Sequence, residues 1–105
     1  MVEIQTDIVQ SIKDYLKLAE ERGITVNRAY LFGSYALGNQ HEFSDIDLAI
    51  ISRNFEGTRV IDREKLIGLS RQTDYRISPY PITPEDFEQN WFVKYEIIDK
   101  GIRIV

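Results

Sequence analysis

The chain has 105 residues, with 13 Lys and Arg against 17 Asp and Glu and a formal net charge of −4. That length suits one domain, residues 1–105, with one core and no separate substrate-binding domain, so a second substrate is expected to meet an open cleft or another chain. The absence of cysteine excludes disulfides and thiolate metal sites; the interspersed charges lack the positive field of extended nucleic-acid binding, and no run is as apolar as a membrane span or secretory signal core, so a cytoplasmic protein is expected.

From Asp7 to Arg22, residues Ile8, Val9, Ile12, Tyr15, Leu16 and Ala19 fall at helical spacing, and Gly23 supplies the stop. Val26 to Phe32 reads as a strand that delivers the chain to the Gly33-Ser34 turn, where Ser34 is positioned to cap a short helix. A polar loop over Gly38 to Phe43 leads to a strand from Asp45 to Ile51, and then to a turn through Asn54 to Gly57. A helix beginning at Thr58 or Asp62 runs to Arg71 and presents Val60, Leu66, Ile67 and Leu69 inward. Tyr75 and Ile77 alternate with Asp74, Arg76 and Ser78, which predicts a strand over Thr73 to Ser78, ended by Pro79 and Pro81. Thr83-Pro84-Glu85-Asp86 is a helix start: Thr as cap, Pro at the first position and acids in the first turn. Helix resumes from Trp91 to Lys100, Gly101 closes it, and Ile102 to Val105 forms a last strand. Helices alternating with strands predict an α/β sheet with helices packed on it.

The chemistry concentrates between Gly33 and Ile50. Gly33-Ser34 follows an apolar strand, and such a turn lets backbone N–H groups approach a phosphate closely. Ser44-Asp45-Ile46-Asp47-Leu48-Ala49-Ile50 then places Asp45 and Asp47 on one strand face with Cα atoms about 6.6 Å apart. Aspartate is depleted in strands, so two at alternate positions between Ile and Leu point to a cation site. Mg²⁺ is held by one or two carboxylates completed by phosphate oxygens and water, which suits this pair. Arg76 reads as the ion-pair partner of Asp74, and His41 as an exposed loop residue. Trp91, Phe92 and Tyr95 have a helical spacing that fits core or a subunit interface better than a base-stacking platform. Lys13, Lys17, Arg59, Arg63 and Lys65 read as ordinary helix surface.

From Leu31 to Ile51 the order strand, Gly33-Ser34, short helix, Gly38, loop and Ser44-Asp45-Ile46-Asp47 resembles the signature of the nucleotidyltransferase superfamily that includes DNA polymerase β, and most closely its minimal nucleotidyltransferase (MNT) domains. The resemblance implies the nucleotidyltransferase fold, a small mixed sheet packed with helices and a site on an open face. It implies Asp45 and Asp47 as ligands of Mg²⁺, with two ions expected, and Asp74 as a third carboxylate acting as ligand and general base. It implies Gly33 and Ser34 as the triphosphate-binding turn for ATP; Ser44 reads either as orienting Asp45 or touching phosphate, or as a simple turn residue. Leu37 departs from relatives that place Arg or Lys before the second Gly, removing one phosphate-neutralising charge.

The implied activity is transfer of AMP from ATP to a hydroxyl, a tyrosine of a partner protein being the expected acceptor. Small MNT proteins are typically antitoxins paired with a HEPN-domain toxin. The alternatives are an antitoxin that neutralises its partner by binding alone, and an aminoglycoside-type enzyme, against which the length argues. Self-association is left open.

Overall fold

The computed structural model describes residues 4–41 and 44–105, so Glu42 and Phe43 of the polar loop lie outside the described residues. In chain order it contains α1 (Thr6–Glu21), β1 (Arg28–Phe32), α2 (Ser34–Leu37), β2 (Ile46–Ile51), α3 (Arg59–Gln72), β3 (Ile77–Ile82), α4 (Pro84–Gln89), a π-helix (Val93–Asp99) and β4 (Ile102–Arg103). The four strands form one sheet in the order β3-β2-β1-β4. β1 is antiparallel to both β2 and β4, whereas β2 and β3 are parallel and joined through the α3 crossover. The fold is therefore a mixed α/β sheet, as expected from the alternation of elements.

Both faces of the sheet are covered. On one, Leu31, Ile46, Leu48, Ile50 and Ile77 pack against Ile8, Ile12, Tyr15 and Leu16 of α1 and Leu66 and Leu69 of α3. Tyr15 is fully buried and donates its hydroxyl to the Leu66 carbonyl at 3.0 Å, so a polar bond crosses between the two helices inside the core. The other face carries a smaller cluster of Tyr30, Ala49, Ile51 and Ile82, covered by Val93 and Ile97 of the π-helix. Gly101 lets the chain turn tightly from that helix into β4: an added Cβ would press on the carbonyls of Ile97 and Leu31. No helix among the described residues is long and apolar enough to cross a membrane.

Several expectations need correcting. The third strand is Ile77–Ile82, not Thr73 to Ser78, so Pro79 and Pro81 lie inside it. They are tolerated because β3 is an edge strand. Ile46 N–H donates to the Arg76 carbonyl and Ser52 N–H to that of Ile82. With a period of two, residues 78 and 80 also bond toward β2 while the nitrogens of Pro79 and Pro81 point outward. Arg63 is not plain helix surface, since it donates to the Pro79 carbonyl at 3.1 Å. Val60 is 70% exposed. The inward stripe of α3 runs instead through Asp62, Leu66 and Leu69. The buried Asp62 carboxylate accepts from Glu56 N–H at 2.8 Å and Gly57 N–H at 2.9 Å. Ser34 is the first residue of α2 rather than its cap, and Gly33 holds the cap position. Thr83 does cap α4, its side chain accepting from Asp86 N–H.

Candidate active site

The site is built where β1 ends beside the start of β2. Phe32 pairs with Asp47, so these side chains share a sheet face, and Asp47 pairs on its other side with Ser78 of β3. The next row is Tyr30, Ala49 and Tyr80. Alternation puts Ile46, Leu48 and Ile50 into the larger core and turns Asp47 the other way. Asp45, exposed, immediately precedes the strand and is two residues from Asp47.

Immediately after Phe32, Gly33 takes φ 74° and ψ −150°, a backbone conformation that a residue with a side chain rarely adopts. Its carbonyl accepts from Ala36 N–H at 3.1 Å and Leu37 N–H at 3.2 Å, which winds α2 directly off the strand. The Asp47 carboxylate is packed so closely on Gly33 that a Cβ there would run into Asp47 Oδ2. The turn and the carboxylate thus form one unit. Burial first, and the neighbouring Asp45 charge second, push the Asp47 carboxyl above its ordinary range. A carboxylate disfavoured in this way, in an all-oxygen pair, fits a hard divalent cation, which would offset both costs.

Ser44, 8% exposed, closes the loop just before Asp45. Its Oγ accepts from His41 N–H at 2.8 Å and its own N–H donates to the His41 carbonyl at 3.0 Å. His41 is exposed, and its backbone is committed to this latch.

Asp74 is ion-paired to Arg76. It lies in the connection between α3 and β3, and its carboxylate grips Arg76 through Nε at 3.0 Å, Nη2 at 2.7 Å and the backbone N–H at 3.0 Å. The Arg76 side-chain bond, the largest influence, holds the Asp74 carboxyl down at about 2, and Ser11 of α1 contributes a further hydrogen bond. Ser11 belongs to α1, which packs on the sheet face opposite Asp47, so Asp74 is anchored to that helix as well as to Arg76. Among the described residues no group of three His, Cys, Asp or Glu side chains could hold a metal. The Arg76 pairing expected from the sequence is present, and it is this pairing that occupies the Asp74 carboxylate.

Sequence reasoning missed Ser78, because reading the prolines as a strand end stopped β3 before its register with Asp47 could be seen. It also missed an aromatic run on the same face. Phe32 meets Tyr80 edge-on with centroids 5.6 Å apart, and Tyr80 meets Phe92 at 6.1 Å. Trp91 and Tyr95 are not core: they are 73% and 50% exposed and lean on each other at 5.9 Å. Leu37 is exposed at the end of α2.

A mixed sheet with a Gly-Ser turn locked against a strand carboxylate defines a nucleotidyltransferase-type site. The chain belongs to the polymerase beta nucleotidyltransferase family, whose profile matches residues 10–105. It is 43% identical over 61 residues to a protein of Methanocaldococcus jannaschii named "Putative protein adenylyltransferase MJ1305", a match covering 53% of this chain and 41% of that relative. The match thus spans less than half the relative's length. Among solved structures, a "putative nucleotidyltransferase" from Sulfolobus solfataricus superposes with a TM-score of 0.65 at 17% identity, covering 90% of this chain and 77% of the other. A chain from a crystal structure described as "the toxin-antitoxin with AMP-PNP" gives 0.64 at 22% identity, covering 90% and 70%. These two likenesses establish the fold.

Proposed function

We propose that this chain transfers AMP from ATP to a hydroxyl of a partner protein, a tyrosine being the favoured acceptor, and that the partner is a HEPN-family toxin which the transfer inactivates. The observation that carries the reading is the Gly33 backbone packed against Asp47 beside Asp45, one unit in which a phosphate-binding turn and a cation-binding pair meet. The curated relative's name as a protein adenylyltransferase, and the toxin-antitoxin structure of the same fold, support the acceptor class.

Asp45 and Asp47 would hold Mg²⁺, which when bound neutralises phosphate charge and polarises the reacting oxygens. Gly33 and Ser34 orient the triphosphate at the start of α2, and Ser44 fixes the approach of Asp45 to it. The acceptor oxygen forms a bond to the α-phosphorus as the bond to the pyrophosphate oxygen breaks. With Asp74 engaged by Arg76, the acceptor's proton passes to water or to a basic group of the partner. That same engagement favours the second reading, neutralisation by binding alone.

The test is transfer of label from ATP labelled at its α-phosphate, with Mg²⁺, to the protein encoded beside this chain or to cell extract. Label that vanishes in both Asp45→Asn and Asp47→Asn supports transfer. A stable complex that takes up no label overturns it in favour of binding alone.

A further inference from the structure

The connection from α3 to β3 ends in a tight turn whose tip is a tyrosine. Ile77 N–H donates to the Asp74 carbonyl at 3.0 Å, which closes a turn over Tyr75 and Arg76. The Asp74 side chain braces the same turn, accepting from Arg76 N–H at 3.0 Å and from Arg76 Nη2 at 2.7 Å. Tyr75 is 85% exposed, and among the described residues no hydrogen bond or ring contact engages its side chain.

The chain's other tyrosines are less available. Tyr15, Tyr30 and Tyr35 are buried. Tyr80 packs against Phe32 and Phe92, and Tyr95 leans on Trp91 with Lys100 Nζ 4.5 Å from its ring centre. Tyr75 also stands at the functional end of the sheet. β2 and β3 are parallel with Ile46 opposite Ile77, so the turn tip and the Asp45/Asp47 pair lie at the same end of neighbouring strands. The pairing of Asp74 with Arg76 has an electrostatic effect as well. A lone carboxylate beside the tyrosine would repel a triphosphate, and the guanidinium cancels that charge.

With its ring in solvent and its turn braced, Tyr75 is presented to a second molecule rather than folded onto its own sheet. Because acceptor and site share one end of the sheet, two copies meeting end to end about a two-fold axis each offer a tyrosine to the other's site. We infer that Tyr75 is a modification site, adenylylated by the site of a second copy of this chain. The inference rests on the transferase reading above and adds the chain itself as an acceptor. Tyr75 Oη forms a bond to the α-phosphorus of ATP as the bond from that phosphorus to the pyrophosphate oxygen breaks. Pyrophosphate leaves, the phenol proton passes to water, and the product carries AMP in phosphodiester linkage to the tyrosine. Holding the acceptor on a braced turn lowers the ordering cost of the encounter.

The test uses Asp47→Asn copies, crippled in transfer, as acceptors for an active copy carrying Tyr75→Phe, with Mg²⁺ and ATP labelled at its α-phosphate. A tag separates the two chains by size, and peptide mass mapping locates the AMP group. The expected result is label on the Asp47→Asn copy at Tyr75, formed at an initial rate proportional to that copy's concentration. Acceptors that also carry Tyr75→Phe should lose the label, whereas acceptors that also carry Tyr95→Phe should keep it. Label mapped to a different residue, or label on the wild-type chain that the Asp47→Asn copy never takes up, overturns transfer between copies to Tyr75. Labelling of a protein in cell extract by a wild-type chain whose own Tyr75 stays bare also overturns it, and leaves the transferase reading standing. No label on any protein, with the wild-type chain as enzyme, overturns both.

Discussion

Gly33 and Asp47 compete for one volume: the carboxylate of Asp47 fills the space that any side chain at position 33 would need. The positive φ of Gly33 adds a backbone reason for the same residue type. Gly33→Ala is therefore expected to displace Asp47, cost about 1–2 kcal/mol of stability and lower transfer by about 100-fold, the loss typical of a group moved by an ångström. Urea unfolding and the labelled transfer assay read the two effects separately.

Asp47→Asn is expected to lower transfer by at least about 100-fold, more than is lost on removing a residue that only supports a metal ligand, yet to stabilise the fold at neutral pH. The sign follows from the raised carboxyl. Where the native pKa lies above the unfolded one, the stability contribution is complete below about 3.8 and is lost as pH rises through the native value. The asparagine variant has no such loss. Its melting point should exceed that of wild type at pH 7, and the two should converge as the pH falls below the carboxylate range.

Asp74 has the opposite sign. Its native pKa of about 2 lies below the ordinary 3.8, so its contribution is present above 3.8 and disappears as the pH falls toward 2. Asp74→Asn should cost about 1–2 kcal/mol at pH 7 after allowance for the partly exposed Arg76, with the difference shrinking across that acid window. Mg²⁺ affinity measured by titration should stay within about twofold, because the loss of a ligand would cost far more. A large fall in Mg²⁺ affinity would return Asp74 to the metal site.

Asp62→Ala removes the acceptor of two backbone N–H groups at Glu56 and Gly57 and should cost about 2–4 kcal/mol, since donors left unpaired near a buried position lose their full solvation. Asp62→Asn restores one acceptor and should recover part of it. Thermal unfolding checks both variants.

Much of the site could be read before the fold. Gly33 and the Asp45/Asp47 spacing are local patterns, and backbone sterics and strand alternation are enough to bring them together. The role of Asp74 is not legible from local pattern, because it depends on the path of the connection between α3 and β3. Arg76, two residues away, holds the carboxylate at 2.7 Å. Ser78 and the Phe32, Tyr80 and Phe92 run were hidden by Pro79 and Pro81, which look like a strand end unless the strand lies at an edge. Val60 failed for a related reason: a polar residue, Asp62, took the inward position because the adjoining loop needed its oxygens.

The two prolines of β3 also decide how another polypeptide can add to the sheet. A foreign strand laid along this outer edge would seek main-chain donors at positions 79 and 81 and find none, and the Pro79 carbonyl is already taken by Arg63. The opposite border is β4, only two residues long. Continuous extension of the sheet is thus blocked on one flank and has little to grip on the other, so the proposed partner would be held by side chains on the faces and loops.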